Sequence, residues 1–445
     1  AHAAVWDIGK GDITISAGSG GQTVTQGGGA AVNDSAPVIT GSSTDNTLTI
    51  NAEKDQTASV TLSGANIDVS GKGKAAVSTT GEGNVSIELD GENTLKSATN
   101  HAGLEKNNGG SLTIADEDKN GKLTAEGGIY GAGIGGGYEG EGSNIAITGG
   151  EVEATGGIGG AGIGGGKNGA GSSIAITGGE VKATGGKYGA GVGGGLSGNG
   201  NHITFTGGEV KATGGLNGAG IGGGLWGKGK DITISGDAQL KVQGGVGDYF
   251  DGPGAGIGDG GSRPKESTGG NPIPGTEVEP DTSGLTTNGS IEYYAPGADM
   301  EKDKPEKTTV GTLPPQEKPV EPIEPAEPEQ LEAERGMDAP LYRVTDRDGR
   351  DIAYTAEQKG GVLTVTADED LAILTGRLSG IRTLKAQGVE KIVFVTKGAA
   401  SAFLLSDLLS RGESGEAYRL THDGKTVTFT LGEKMTDVSA ILTKP

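Results

Sequence analysis

GAGIGGGYEGEGSNIAITGGEVEATGGIG, residues 131–159, is one copy of a 29-residue repeat that decides the fold. Its opening segment GAGIGGG returns every 29 residues, with valine for isoleucine in one copy, beginning at Gly131, Gly160, Gly189 and Gly218. A fifth copy begins at Gly254, after a seven-residue insertion around Tyr249 and Phe250. Repeats with a fixed period of about 20–50 residues are typical of solenoids and related arrays, in which each copy packs on its neighbours.

Each copy contains two segments in which apolar and polar residues alternate, Asn144–Thr148 and Glu151–Thr155. Alternation with a period of two indicates half-buried strands, so we expect their isoleucine, valine and alanine side chains to point inward. Glycine pairs at 149–150 and 156–157 mark corners, where a positive φ is accessible at little cost only to glycine. With the glycine run as the third side, each copy would form one triangular coil, stacked ~4.8 Å from the next.

These coils predict a mainly β fold, a single-stranded right-handed parallel β-helix, for residues 1–260. Right-handed winding is favoured by the sterics of strand crossovers. Equivalent apolar residues should then form continuous inner columns. One such column would contain Ile134, Ile163, Val192, Ile221 and Ile257.

The rest of the chain has a different composition. Residues 261–336 are predicted to be a Pro/Glu-rich extended linker, because the run PPQEKPVEPIEPAEPE at 314–329 is typical of a polyproline II spacer; a proline-motif ligand role is the alternative. Within this segment, Tyr293 and Tyr294 are expected to dock on the end of the solenoid. Residues 337–445 are predicted to form a small α+β domain of unassigned role, with a short helix at Ala400–Leu409 and a hairpin at Asp423-Gly424. Its expected strands are Tyr342–Thr345, Val362–Ala367, Lys391–Thr396, Tyr418–Thr421 and Thr426–Thr430.

Composition restricts the function classes. The chain of 445 residues has a net charge of −22 and no cysteine. This acidic balance argues against nucleic acid and anionic membrane surfaces as partners, and no stretch approaches the ~20 apolar residues needed for membrane insertion. The lack of cysteine excludes disulfides and cysteine nucleophiles. Because the chain begins at Ala1, we expect a removed signal peptide and a secreted or cell-surface protein, with any anchor outside this chain.

No catalytic constellation is visible, so we expect a non-enzymatic protein. The histidines His2, His101, His202 and His422 are far apart in sequence and form no acid–base or metal cluster. Outward-facing glutamates and lysines of the second strand should form a solvated, salt-bridged face, and cation or sugar contacts are the alternative.

Asp116, Asp118 and Asn120 resemble the opening of a calcium-binding loop. Oxygens at alternate positions can converge on one hard cation, and the glycine that follows permits the sharp turn. The glutamate expected at the twelfth loop position is absent. Calcium is therefore a candidate cofactor, and an ordinary turn between coils is the alternative. Asp248 and Asp251 form a second candidate pair.

Most aromatic residues of the repeat region lie in the two loops that flank the glycine segment. If Ala132 and Ile134 point inward, Gly133 and Gly135 face outward as a bare floor between two rims. Aromatic side chains above a polar floor suit sugar-ring stacking and protein hot spots alike. The predicted ligand-binding residues are Tyr130, Tyr138, Tyr188, Leu225, Trp226, Tyr249 and Phe250. The alternative is that glycine serves tight corners and the aromatic residues only cap the loops.

The segments Ile-Ala-Ile-Thr-Gly-Gly-Glu-Val, Ala-Thr-Gly-Gly and Gly-Ala-Gly-Ile-Gly-Gly-Gly resemble repeats of surface proteins from clostridia and gut Firmicutes. Many of those proteins are described as carbohydrate-binding-domain-containing proteins. The resemblance covers residues 70–260 approximately and is specific for the architecture. It implies a β-helix related in fold to pectate lyases, in a family with a cellulose- and pectin-binding member that carries calcium. Only Asp116, Asp118 and Asn120 form a comparable cluster here.

Several functions remain open. The leading hypothesis is a surface adhesin that binds an extended glycan through the aromatic-rimmed face. The second is a protein-binding surface antigen, which would capture a host immunoglobulin or mucin polypeptide, and the third is a passive structural stalk. A polysaccharide lyase is the least favoured, since the stacked acidic residues and basic catalyst of such enzymes cannot be placed.

Overall fold

The 29-residue copies lie directly over one another. The computed structural model describes residues 4–264, 271–313, 341–347, 350, 352–359, 361–386, 388–411, 416–432 and 436–443. In it Ile145 pairs in parallel with Ile174, and Ile174 with Ile203, and all three side chains are buried. The glycine segments pair in the same way, in the column Ile134, Ile163, Val192, Ile221 and Ile257. The predicted parallel β-helix is therefore confirmed, and its right-handed sense stays a prediction.

The chain divides into two units, Ala1–Glu321 and Pro322–Pro445, each with its own apolar core. The first coils of the first unit contain β1 Val5–Asp7, β2 Ile13–Gly18, β3 Gly21–Gln26, β4 Val32–Asn33, β5 Val38–Ser43, β6 Leu48–Ala52, β7 Thr57–Asp68, β8 Val77–Gly81, β9 Asn84–Asp90, β10 Glu92–Lys96, β11 Leu104–Lys106, β12 Leu112–Ala115 and β13 Lys122–Glu126, with a 3₁₀ helix at Ile8–Lys10. The repeat coils contain β14 Ile134–Gly135, β15 Gly142–Ile147, β16 Glu151–Thr155, β17 Ile163–Gly164, β18 Gly171–Ile176, β19 Glu180–Thr184, β20 Val192–Gly193, β21 Gly200–Phe205, β22 Glu209–Thr213, β23 Ile221–Gly222, β24 Gly229–Ile234, β25 Gln239–Gln243 and β26 Ile257–Gly258. Two further strands follow, β27 Ser290–Tyr294 and β28 Lys307–Val310.

Each repeat coil contributes one short and two longer strands. Among the described residues, the short strands β14, β17, β20, β23 and β26 belong to an 11-stranded sheet. The longer strands belong to a 17-stranded sheet that bends around the core, since each glycine pair such as 149–150 turns the chain between two of them. Along the longer strands buried and more exposed residues alternate, as the period-2 pattern predicts.

The glycine segment is buried, and the prediction that Gly133 and Gly135 form an exposed floor is wrong. A Cβ built on Gly133 would lie 2.6 Å from the Thr155 nitrogen. Gly135 has a φ of +134°, and a Cβ there would overlap the carbonyl oxygen of Gly164 in the next coil. The two-residue strand is too short and too irregular for simple in–out alternation, so glycine serves here for close backbone packing.

Antiparallel strands close both ends of the solenoid. At the N-terminal end β3 pairs antiparallel with β2, and β4 with β3. At the other end β27 adds in parallel to β25, and β28 then pairs antiparallel with β27. The Glu277 carboxylate also accepts hydrogen bonds from the Gly256 and Ile257 amides of the last glycine segment. These segments satisfy backbone groups that the outermost coils would otherwise leave open.

The predicted linker is therefore too long at its N-terminal side. Residues 271–313, inside the predicted span 261–336, pack on the last coil, where Leu285, Ile291 and Tyr294 are buried. The expected docking of Tyr293 and Tyr294 on the end of the solenoid is confirmed, since their strand pairs with Gln239–Gln243 and Tyr293 packs against the solenoid core. Sequence reasoning missed the rest of this cap because it lacks the 29-residue period. The proline-rich run at 314–329 lies outside the described residues.

The second unit is an α+β fold with two sheets. Its elements are β29 Arg343–Thr345, β30 Tyr354–Lys359, β31 Val362–Ala367, β32 Leu371–Arg377, α1 Leu378–Ala386, β33 Lys391–Val395, β34 Ala400–Leu404, α2 Leu405–Leu409, β35 Ala417–Asp423, β36 Thr426–Leu431, β37 Thr436–Asp437 and a 3₁₀ helix at Ser439–Ile441. The hairpin at Asp423-Gly424 is confirmed by the β35–β36 pairing. The predicted helix is wrong in its first half, because Ala400–Leu404 pairs with β33 as a strand. Among the described residues no helix is long and apolar enough to cross a membrane.

Candidate functional site

The two loops that flank each glycine segment meet each other instead of forming separate rims. The Lys167 amide donates a 2.8 Å hydrogen bond to the Tyr130 carbonyl of the preceding coil. Farther along, the Leu225 amide makes the same 2.8 Å bond to the Tyr188 carbonyl. The loops therefore close over the buried glycines and form one continuous surface. We call this surface the aromatic ridge; it consists of residues 129–130, 138, 158, 167, 187–188, 196, 216, 226, 246–250 and 263.

Six of the seven predicted ligand-binding side chains reach the surface of the ridge. Tyr138, Trp226, Tyr249 and Phe250 are 42%, 46%, 86% and 61% exposed, and Tyr130 and Tyr188 are half-buried. Leu225 is only 3% exposed, so its predicted ligand contact is wrong: its side chain is buried beneath the loop. The ridge also exposes Ile129, Ile158 and Val246, which were not among the predicted ligand-binding residues.

Lysine side chains lie over the tyrosine rings of the ridge. The Lys167 Nζ is 4.3 Å from the centroid of the Tyr130 ring and 5.8 Å from that of Tyr138. The two tyrosine rings are themselves 5.6 Å apart and tilted by 48°. The Lys187 Nζ lies 4.9 Å from the Tyr188 ring. Such cation–π pairs restrict the rings and keep them at the surface.

Three aromatic residues of the ridge have a left-handed backbone. Tyr130 and Tyr188 have φ of 75° and 80°, at a position that Gly159 and Asn217 occupy in the neighbouring coils. Trp226 has a φ of 65°, where equivalent coils have Glu139, Asn168 and Ser197. A bulky side chain in this region costs about 1–3 kcal/mol, whereas glycine and asparagine adopt it readily. Strain retained at aromatic residues that reach the surface is a pointer to function, since folding alone favours the smaller residues.

The insertion before the fifth copy adds an aromatic pair to the ridge. The Tyr249 and Phe250 rings pack edge to face with centroids 5.1 Å apart. The Asp248 Oδ1 accepts hydrogen bonds from the Phe250 and Asp251 amides, at 2.9 and 2.8 Å, and so fixes the turn. This carboxylate acts as a turn cap.

At the predicted calcium loop the structure shows a hydrogen-bonded turn. The Asp116 Oδ1 and Oδ2 accept hydrogen bonds from the Asn120 and Gly121 amides, at 3.2 and 3.0 Å. Burial raises the pKa of the neighbouring Glu88, and the charges of Glu117, Asp116 and Asp118 raise it further. Among the described residues no three His, Cys, Asp or Glu side chains are grouped to hold a metal ion. The geometry favours the turn, and calcium binding at Asp116, Asp118 and Asn120 stays a prediction.

The glutamates and lysines of the longer strands form a salt-bridged face. The Lys122 Nζ is 2.6 Å from the Glu151 Oε1, and the Lys182 Nζ is 2.5 Å from the Glu153 Oε1. The hydrogen bond from Lys182 lowers the pKa of Glu153. Exposed pairs of this kind contribute little to stability.

The described histidines serve local structure. The His101 Nδ1 lies 2.9 Å from the Glu105 Oε2, and the His202 Nε2 lies 3.5 Å from the Asp231 Oδ2. In the second unit, His422 is completely buried and hydrogen-bonds to the hydroxyls of Ser401, at 2.7 Å, and Thr396, at 3.1 Å. Burial lowers the pKa of His422 to about 4. Both ring nitrogens hydrogen-bond to hydroxyl groups and the imidazole is buried, so the Ser401–His422 pair belongs to a hydrogen-bonded network in the core.

Comparison with known proteins identifies no relative from which a function could be inferred. The chain matches no protein-family model, and the searches of curated proteins and of solved structures give no significant match. The resemblance to repeat-containing surface proteins of gut Firmicutes therefore stays a prediction.

Proposed function

We propose that this protein is a secreted or cell-surface adhesin that binds an extended glycan along the aromatic ridge. The observation that carries the proposal is the row of surface rings on strained backbone, the half-buried Tyr130 and Tyr188 and the exposed Trp226. Each occupies a position where other coils have a small or polar residue, so the rings are not a requirement of the coil.

The geometry of the ridge suits a linear ligand. Successive coils are ~4.8 Å apart, and the paired strands hold the ridge rigidly along the solenoid. Rings presented at intervals along one line can stack on the apolar faces of successive sugar units, while neighbouring polar side chains such as Asn168 and Ser197 can hydrogen-bond hydroxyl groups. Many weak contacts along one rigid line then add up to useful affinity.

The test uses the repeat itself to design the variants. Tyr188→Asn introduces the residue type found at the equivalent position of the next coil, Asn217. Tyr130→Gly likewise introduces the glycine found there in its next coil, Gly159. Both changes remove a ring and also relieve a left-handed backbone, so we expect an unchanged or higher melting temperature and about tenfold weaker glycan binding.

The measurement is a glycan array followed by calorimetry on any hit. Lys182→Gln on the salt-bridged face is the control and should bind as the unaltered protein does. Absence of glycan binding by the unaltered protein would refute the proposal, and so would equal binding by both tyrosine variants.

A protein ligand is the second candidate, favoured by the combination of Trp226, Tyr249 and Arg263 on one surface. Tryptophan, tyrosine and arginine are the residues most enriched in binding hot spots. Capture of a host immunoglobulin or mucin polypeptide from mucosal secretions distinguishes the two, since capture that survives enzymatic deglycosylation favours the protein ligand.

A further inference from the structure

A buried carboxylate lies under the C-terminal end of the ridge. Asp251 is only 2% exposed. Its Oδ1 accepts hydrogen bonds from the Trp226 Nε1 at 3.0 Å and from the Arg263 Nε at 3.3 Å, and its Oδ2 accepts one from the Arg263 Nη2 at 2.9 Å. One carboxylate therefore fixes an indole from one coil and a guanidinium that follows the fifth glycine segment.

The Arg263 guanidinium also lies over two aromatic rings. The Arg263 Cζ lies 5.3 Å from the Trp226 ring and 5.7 Å from the Phe250 ring. Trp226 and Phe250 are both exposed, and the Arg263 side chain is half exposed. The guanidinium and the two rings together form a platform at the surface.

The backbone around Asp251 is also held in place. The buried Asn217 donates from its Nδ2 to the carbonyls of Asp251 and Gly252, at 2.8 and 2.9 Å. Asn217 occupies the position of Tyr188 in the previous coil, so at this coil the chain has a buried amide that holds the platform instead of an aromatic ring. The arrangement is thus organised before any ligand arrives.

The charges of the platform point to the ligand class. The buried Asp251 carboxylate neutralises the half-exposed Arg263 guanidinium in a bidentate pair, and Asp248 adds a negative charge beside it. An anionic sugar gains no net attraction there, whereas the apolar face of an uncharged sugar ring stacks on Trp226 and Phe250 without a desolvated charge.

We propose that Asp251 is a positioning residue, which holds Trp226 and Arg263 as a charge-compensated stacking subsite for an uncharged sugar ring. This inference rests on the proposed glycan binding and gives the C-terminal end of the ridge a preference for uncharged sugars. It predicts that the sign of the ligand charge, as well as its shape, determines binding at this end.

The experiment follows the fluorescence of Trp226. The chain has two tryptophans, so Trp6→Phe leaves Trp226 as the only one. In this background, Asp251→Asn keeps an acceptor for the indole but removes the charge that compensates Arg263. We expect faster acrylamide quenching of Trp226, and a fall of about fivefold in the affinity for a neutral oligosaccharide relative to a uronic-acid oligosaccharide of equal length.

The matched control is Asp259→Asn. Asp259 is also buried and its Oδ2 is 2.8 Å from the Lys228 Nζ, but no ring lies in this pair. The control should leave both the quenching of Trp226 and the affinity ratio unchanged. Circular dichroism spectra that match the unaltered protein establish that each variant is folded.

Two kinds of failure can be separated. If the unaltered protein binds no glycan on the array, the proposed function fails, and the quenching data still decide whether Asp251 positions Trp226. If it binds glycans but Asp251→Asn changes neither quenching nor the affinity ratio, or if it binds only the anionic oligosaccharide, this inference is overturned and the proposed function stands.

Discussion

The Lys167 Nζ lies 4.3 Å from the centroid of the Tyr130 ring, although the two residues belong to successive coils. This contact and the hydrogen bond from the Lys167 amide to the Tyr130 carbonyl join the two loops of the ridge. The Tyr130 ring is therefore held in place by a lysine of the next coil.

We predict that Lys167→Gln loosens the N-terminal end of the ridge. The glutamine keeps much of the aliphatic stem but loses the cation–π attraction, about 0.5–1 kcal/mol at an exposed site. A double-mutant cycle with Tyr138→Ala, measured by thermal unfolding, should show coupling of that size between Lys167 and the ring 5.8 Å away. The corresponding cycle of Lys182 with Tyr138 should show no coupling; equal coupling in both cycles would contradict this assignment.

We predict that Gly135→Ala strongly destabilises the solenoid. The added methyl group would overlap the Gly164 carbonyl, and the residue would keep a φ of +134°. Strain and overpacking together should cost about 2–5 kcal/mol, read as a lower melting temperature by circular dichroism. Gly20→Ala is the control, because nothing lies within 4 Å of a Cβ built there. Similar melting of the two variants would show that the glycine segment tolerates side chains.

We predict that the second unit loses stability as the pH falls from about 6.5 to about 4. Burial lowers the pKa of His422 from 6.5 to about 4, so in this window the unfolded chain takes up a proton that the folded unit rejects. The stability contributed by the neutral imidazole is fully present above pH 6.5. This loss of stability should appear as faster hydrogen exchange of the β33 and β35 amides at lower pH, after correction for the intrinsic exchange rates.

His422→Gln separates this effect from the titration of carboxylates. The variant has no imidazole to protonate, so its exchange rates should depend less on pH between 6.5 and 5, where most carboxylates stay ionised. An unchanged pH profile in the variant would show that His422 does not control the loss.

The constant repeat length made the inner columns of apolar residues predictable from the sequence. The structure of the irregular segments was not predictable in this way. Ile145, Ile174 and Ile203 recur at a constant spacing, so parallel stacking follows from the period alone. The burial of Gly133 could not be read from alternation, because its segment is too short for a regular strand and bends back on itself. The Ala132 amide bonds to the Gly136 carbonyl, and this turn brings the two loops together.

The candidate site was predictable in its residue types but not in its arrangement. Aromatic side chains in variable loops marked Tyr188, Trp226 and Phe250 correctly as surface residues. The pairing of Asp251 with Arg263 gave no sequence signal, since it depends on the path of the seven-residue insertion. Leu225 was misplaced because its exposure depends on which of two adjacent residues has the left-handed backbone, and that residue is Trp226.

The antiparallel closure at each end has a consequence for how such a molecule changes in length. A gene duplication that adds one 29-residue unit inserts a coil between existing coils, whose edges accept it in register, and leaves both terminal closures untouched. The number of rows in the aromatic ridge can therefore grow or shrink in whole steps without a redesign of the core, while the antiparallel strands cover the edges through which solenoids could otherwise pair end to end.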